Sequence, residues 1–238
     1  MKPALCLLVA ATLFAACSPT IQTIKFPKKP NEIFVNNNLK EFFKTNQTPN
    51  IVLRVPNSAD KATSNTSNYS NSRDNNSVLY NAIEKELLKE GFSVRDRGLF
   101  NEIINKSGST DYSKIKDLTN TDVILEVINI DPAIVYSTNK VTLIHKKRET
   151  ETVGDIDYKR YGASVEFRII MVKNNEIAGT YKYNYQPCPN GCELGSFSFS
   201  GKRNNRQVEL RETVSFNTME EFIRLCTQDL IKSFRDEG

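Results

Sequence analysis

At 238 residues, 39% hydrophobic and 25% charged, the chain has the composition of a globular protein and the length of one medium domain with a tail. The 32 basic and 28 acidic residues leave a net charge of +4 with both signs interspersed, which weighs against a dedicated nucleic-acid surface. A single histidine, His145, and the absence of a Gly-x-Ser-x-Gly elbow, a P-loop, a dinucleotide glycine fingerprint or a His-Glu-x-x-His helix give no expectation of enzymatic chemistry, and no cofactor or metal is expected.

The first 17 residues read as a targeting segment. Lys2 beside the free amine makes a short charged start, residues 3–14 are apolar, and Ala15-Ala16 offer a small-residue cleavage site directly before Cys17. The apolar stretch is shorter than the ~20 residues a membrane-spanning helix needs. It resembles the lipobox of bacterial lipoproteins, with Phe14 where that pattern usually has Leu. The resemblance implies that residues 1–16 are removed and that Cys17 carries diacylglycerol on its sulfur, with a further acyl chain such as palmitate on the exposed amine. Two or three chains would hold the protein at a membrane through Cys17. Ser18 after the lipidated cysteine favours the outer membrane in sorting systems where Asp at that place retains a lipoprotein at the inner one.

Residues 17–50 read as a tether punctuated by Pro19, Pro27, Pro30 and Pro49, with a possible short helix at residues 39–43. A single domain is expected over 51–238, opening with a strand at 51–55. Residues 57–77 are crowded with Asn, Ser and Thr and read as a long loop. Its Asn-x-Ser/Thr triplets at Asn65, Asn68 and Asn75 reflect composition rather than glycosylation behind a bacterial lipobox. Ser77 should cap a helix with Val78, Leu79, Ala82, Ile83, Leu87 and Leu88 on one stripe, stopped by Gly91. A strand at 92–96 leads to a helix through Leu99, Phe100, Ile103 and Ile104, and a third short helix runs through Tyr112, Ile115 and Leu118. Residues 123–130 are apolar on both faces except at Glu126 and Asn129, as in a central strand.

Further on, a strand at 141–144 should leave the core toward solvent, with a turn near Gly154-Asp155. Residues 163–172 alternate, with Val165, Phe167, Ile169 and Met171 facing one way and Ser164, Glu166 and Arg168 the other. A turn at 173–176 should return the chain along Tyr181, Tyr183 and Tyr185, more readily a cross-strand ladder than a glycan-binding platform. More strand character follows at 196–200 and 208–216. A last helix should run from Thr218 with Met219, Phe222, Ile223, Cys226, Leu230 and Phe234 inward.

Cys6 leaves with the signal, so Cys188, Cys192 and Cys226 remain beside the lipidated Cys17. Cys188-Pro-Asn-Gly-Cys192 is turn chemistry, and in an oxidising envelope a small structural disulfide there is the favoured reading. A redox dithiol is disfavoured because the spacing is not Cys-x-x-Cys, and zinc would lack ligands. Cys226 falls on a helix stripe as a small buried hydrophobe.

This order of elements gives an α+β or α/β domain, a mixed sheet with helices packed on it. The helix ending at Glu90-Gly91-Phe92, the stretch Val94-Arg95-Asp96-Arg97, the helix opening at Leu99 and the strand opening at Thr121-Asp122 make a more specific pattern. It resembles the envelope lipoproteins built on the fold of the curli secretion component CsgG, of the TolB N-terminal domain and of the LpoB-type peptidoglycan synthase activators. Those families carry a Val-x-Asp-Arg or Val-x-Glu-Arg signature in the corresponding strand and open the later strand with Ala-Asp. The resemblance implies a non-enzymatic, lipid-anchored accessory or scaffold of the bacterial cell envelope that works through contacts with an envelope protein. Its alternative is an oligomeric outer-membrane component of the curli-secretion type. Crossing a membrane as strands needs one lipid-facing apolar row, whereas the nearly consecutive charges at Lys146, Lys147, Arg148, Glu149, Glu151, Asp155, Asp157, Lys159 and Arg160 are expected to fall on both faces, which counts against a pore.

Overall fold

The computed structural model describes residues 21–55, 72–107, 112–145, 148–196 and 213–236. The expected signal segment, Cys17, most of the loop at 57–77 and the expected strands at 197–200 and 208–212 lie outside these residues. Among the described residues there are eight strands and five helices in an α+β arrangement.

In chain order these are β1 (Ile21–Ile24), β2 (Glu32–Val35), α1 (Asn37–Thr45), β3 (Asn50–Arg54), α2 (Ser72–Lys89), β4 (Ser93–Arg95), α3 (Arg97–Ser107), α4 (Tyr112–Thr119), β5 (Val123–His145), β6 (Arg148–Met171), β7 (Glu176–Tyr185), β8 (Cys192–Ser196) and α5 (Phe216–Asp236). By compactness the chain divides into two units, one built on residues 29–134, 161–185 and 212–238, the other on 1–28, 135–160 and 186–211.

In the larger unit the strand order is β4-β3-β5-β6-β7-β2. β3 runs parallel to β4 and β5, whereas β7 runs antiparallel to β6 and β2. Parallel neighbours need crossovers, which α2 and the pair α3 and α4 supply. Alternation then sends side chains to opposite faces. Ile51, Leu53, Val123, Leu125, Val165, Phe167, Ile169, Tyr181 and Tyr183 point to a core closed by Leu39 and Phe43 of α1, Leu79, Ile83 and Leu87 of α2, and Ile223, Leu230 and Phe234 of α5. Val52, Ile124 and Ile170 point the other way, under Phe100, Ile103 and Ile104 of α3 and Tyr112 of α4. Each fully buried aliphatic or aromatic side chain stabilises by about 1.5–3 kcal/mol, so these two layers are the main source of stability.

Local chemistry sets the element ends. Asn36 caps α1 by accepting from Leu39 N at 2.9 Å. Gly91 ends α2 at φ +85°, with Gly91 N and Phe92 N returning to Leu88 O and Leu87 O. The 173–176 turn forms as expected, with Asn175 in the left-handed region at φ +51°. Ser215 accepts from Thr218 N, so α5 opens at Phe216 rather than at Thr218, and residues 213–215 are not strand. α2 likewise begins at Ser72, five residues before the expected cap at Ser77.

The smaller unit is an antiparallel sheet in the order β8-β1-β5-β6, using residues 135–145 of β5 and 148–160 of β6. β1 pairs Ile21 with Ile144 and Ile24 with Val141 on one side, and Ile24 with Cys192 on the other. Phe26 meets Tyr136 edge to face at 6.4 Å.

Two expectations are corrected. Residues 21–35, read as tether, contain β1 and β2, which Pro27 and Pro30 do not interrupt because both fall between the two strands, whereas α1 answers to the short helix expected at 39–43. The turn expected at Gly154-Asp155 is absent, and Gly154 lies inside β6 with Asn139 O and Val141 Cγ2 nearest its missing side chain.

Candidate functional site

The four residues of the Val94–Arg97 signature serve structure. Arg95 donates to Asn50 Oδ1 at 2.9 Å and ties β4 to β3. Asp96 accepts from Leu99 N at 2.6 Å and starts α3. Arg97 lies over the Tyr80 ring at 5.3 Å and reaches Glu84 at 3.8 Å, joining the start of α3 to α2. Burial, offset in part by the Arg97 charge, raises the Glu84 carboxyl above its ordinary range.

Glu126, the polar interruption of the central strand, is buried between two arginines. Its Oε1 accepts from Arg54 at 2.5 Å and its Oε2 from Arg168 at 3.0 Å, while Arg54 also donates to Tyr112 Oη at 2.5 Å. In the sequence Glu126 stands out as a polar exception, but its partners sit on β3 and β6 and come to it only through the strand register. The carboxylate is enclosed and its acceptor positions are directed at guanidinium groups, an arrangement that holds α4 and three strands together.

Tyr181 and Tyr183 form the expected cross-strand ladder, opposite Phe167 and Val165 of β6, but both are buried beneath α5 and their ring faces are closed to a glycan. Burial, with Asp229 adding to it, drives the Tyr183 hydroxyl and the Cys226 thiol far above their usual pKa, so neither ionises at neutral pH. Cys188 and Cys192 are disulfide-bonded with Cα atoms 5.3 Å apart, and Gly191 at φ +96° lets the tip turn. Among the described residues no group of three or more His, Cys, Asp or Glu is placed to hold a metal ion. No described helix is long and apolar enough to cross a membrane.

Two strand edges stand out as surfaces. Among the described residues β2 is paired only with β7, and beside it Phe34 is 68% exposed over a shallow cavity of about 510 Å³ that Ile177 and Gly179 also line. Its four residues offer little length for pairing.

β6 offers more. β7 pairs with residues 163–171 only, so residues 148–160 have a described strand partner, β5, on one side alone. Alternation sorts their side chains. Glu149, Glu151, Val153, Asp155, Asp157 and Lys159 share one face, where Lys140 of β5 meets Glu151 at 2.9 Å. Thr150, Thr152, Gly154, Ile156 and Tyr158 share the other, toward Val141. Among the described residues these charges do fall on both faces, as expected, but unevenly: between Glu149 and Lys159 they occupy one face, and only Arg148 and Arg160 at the ends take the other. Once the supposed turn at Gly154 is replaced by continuous strand, the period of two puts the carboxylates in register.

No family model matches the chain, and no curated protein matches it.

Proposed function

We propose that the protein is a lipid-anchored, non-enzymatic accessory or scaffold of the bacterial cell envelope, held at the outer membrane through Cys17 and acting by contact with an envelope protein. The observation that carries this reading is the edge of β6 at residues 148–160, which among the described residues has β5 as a strand partner on one side alone and offers its other side to a partner strand. The lipobox supplies the anchor. Glu126 is held between Arg54 and Arg168, and Arg97 stacks on Tyr80, contacts that join elements of the fold. Fractionating cells that express the native chain and Cys17→Ser tests the anchor: the native chain should sediment with outer membranes and the variant should become soluble in the envelope. A variant that still sediments with membranes would remove the lipid from the reading.

A second reading, an oligomeric outer-membrane component like that of curli secretion, is favoured by one observation. Segregating the charges of 149–159 to one face leaves the neutral row Thr150, Thr152, Gly154, Ile156 and Tyr158 on the other, with Ile156 64% exposed. Light scattering coupled to gel filtration on the mature protein in detergent separates the two readings. A ring-sized oligomer would support the second, and a monomer or dimer would leave the accessory role.

A further inference from the structure

We infer that the edge of β6 over residues 148–160, which has no second strand partner among the described residues, takes up a basic, extended segment of another polypeptide, which adds as a strand with Lys or Arg at alternate positions; this rests on the accessory reading above and names the chemistry of its partner.

The main chain comes first. Successive residues of a strand direct their N–H and C=O groups alternately to the two sides, so about half of residues 148–160 present these groups away from β5. Such a row is a template for another strand. Side chains then decide which strand. On one face Glu149, Glu151, Asp155 and Asp157 flank Val153 symmetrically, two carboxylates on either side of a 71% exposed valine. Among the described residues of β5 and β6, Lys140 and Lys159 are cations of that face, and Lys140 is engaged with Glu151. The row is thus acidic in a chain whose net charge is +4. Residues directly across a ladder share a face, with Cβ atoms about 4.5–5.5 Å apart, where opposite charges stabilise and like charges destabilise. A matching strand therefore carries a cation, any neutral residue, a cation, a neutral residue, an apolar residue opposite Val153, then the mirror of that order. Its intervening positions meet Thr150, Thr152, Gly154 and Ile156 and are small or apolar.

The same geometry argues against a second copy pairing β6 with β6. Two-fold antiparallel pairing keeps each face on its own side, so it would set Glu149, Glu151, Asp155 and Asp157 against one another.

The probe is the fluorescein-labelled peptide Lys-Thr-Lys-Thr-Val-Thr-Lys-Val-Lys, followed by anisotropy with the full mature protein in nonionic detergent at low salt. One control has the same composition with its four lysines consecutive, and a second is N-methylated at alternate residues, which removes the ladder hydrogen bonds and keeps the charge. We expect saturable binding of the alternating peptide, about tenfold weaker binding of both controls, and a loss of about tenfold in the double variant Glu151→Lys, Asp155→Lys. Both sites are exposed, and unchanged thermal unfolding will show that the variant is folded; the peptide controls do not depend on it. Equal binding of the three peptides, no binding of the alternating one, or a ring-sized oligomer whose edge is taken by a second copy would overturn the inference. A photo-crosslinking residue at Thr152 in native envelopes separates this failure from that of the accessory reading. Cross-linking to another protein while the peptide fails to bind would leave a partner but not a basic one. With neither, both readings fall.

Discussion

Gln228 of α5 donates from its side-chain amide to Glu86 Oε2 of α2 at 2.8 Å, while Lys89 donates to the other oxygen of the same buried carboxylate at 2.6 Å. α2 and α5 pack along their apolar stripes over the sheet, and this polar link fixes their relative register where the hydrophobic contact alone would let them slide.

Burial by itself would raise the Glu86 carboxyl. The hydrogen bonds from Lys89 and Gln228, with the charges of Lys89 and Arg224, outweigh it and hold the group below its ordinary range. A carboxyl depressed by folding contributes stability above its unfolded pKa, about 4.3, and loses that contribution as pH falls through the folded value. Glu86→Gln should therefore cost about 1–3 kcal/mol at pH 7. The gap to the native chain should close as pH is lowered below 4 or so. Urea unfolding at a series of pH values reads this directly, and a gap that stays constant with pH would show that the Glu86 charge is not what stabilises the pair.

Gly179 sits where β7 passes under α1. A Cβ built there would lie 3.2 Å from Tyr181 Cε2, 3.3 Å from Leu39 Cδ2 and 3.4 Å from Phe34 O. Alanine recovers roughly 0.5–1 kcal/mol of the backbone entropy that glycine loses on folding. Overpacking costs about 1–3 kcal/mol, so Gly179→Ala should come out within about 1 kcal/mol of the native chain and Gly179→Val should be clearly destabilised. Because one of the close atoms is the Phe34 carbonyl, the valine variant should also loosen β2, read as faster amide exchange at Ile33 and Val35. A valine variant as stable as the native chain would show that close approach does not select glycine here.

The disulfide closes a loop of four-residue separation immediately before Cys192 pairs with Ile24. Chain-entropy reasoning gives so short a loop about 2 kcal/mol. That gain belongs to the β7–β8 tip, so Cys188→Ser with Cys192→Ser should raise amide exchange in β8 and in β1 near Ile24 while leaving β3, β5 and α2 protected. Uniformly raised exchange across the chain would mean that the bond supports the whole fold rather than the tip.

Much of the larger unit was legible because periodicity and burial agree there. Val165, Phe167 and Ile169 alternate against Arg168 and are all fully buried, and the α2 stripe holds at Leu79, Ile83 and Leu87, though Val78 and Leu88 are exposed, and ends at a glycine that the left-handed turn requires. What escaped has physical causes. β1 and β2 are four residues each and lie beside prolines, so no periodic signal accumulates within them. The outer half of β6 is rich in charge, and charge reads as turn or loop unless its parity is followed residue by residue. Glu126 announced itself only as an anomaly, since Arg54 and Arg168 are 72 and 42 residues away in sequence and are brought to it by parallel pairing of β3 and by β6.

That cluster gives the sharpest test of what the buried charge does. Removing the carboxylate alone, as in Glu126→Leu, leaves the guanidinium groups of Arg54 and Arg168 beside an apolar side chain. Breaking a fully buried pair costs about 3–5 kcal/mol, but the arginines retain 27% and 36% side-chain exposure and can be partly rehydrated, so about 2–4 kcal/mol is expected. Replacing all three by Leu, Met and Met removes the desolvation of charge together with the attraction. If the ions serve stability only through their mutual compensation, the triple variant should be close to the native chain or above it in urea unfolding, well above Glu126→Leu. If it is as unstable as the single variant, the hydrogen bond from Arg54 to Tyr112 and the fixed placement of α4 carry the energy instead, and Tyr112→Phe should then reproduce a measurable part of the loss, about 0.5–1.5 kcal/mol.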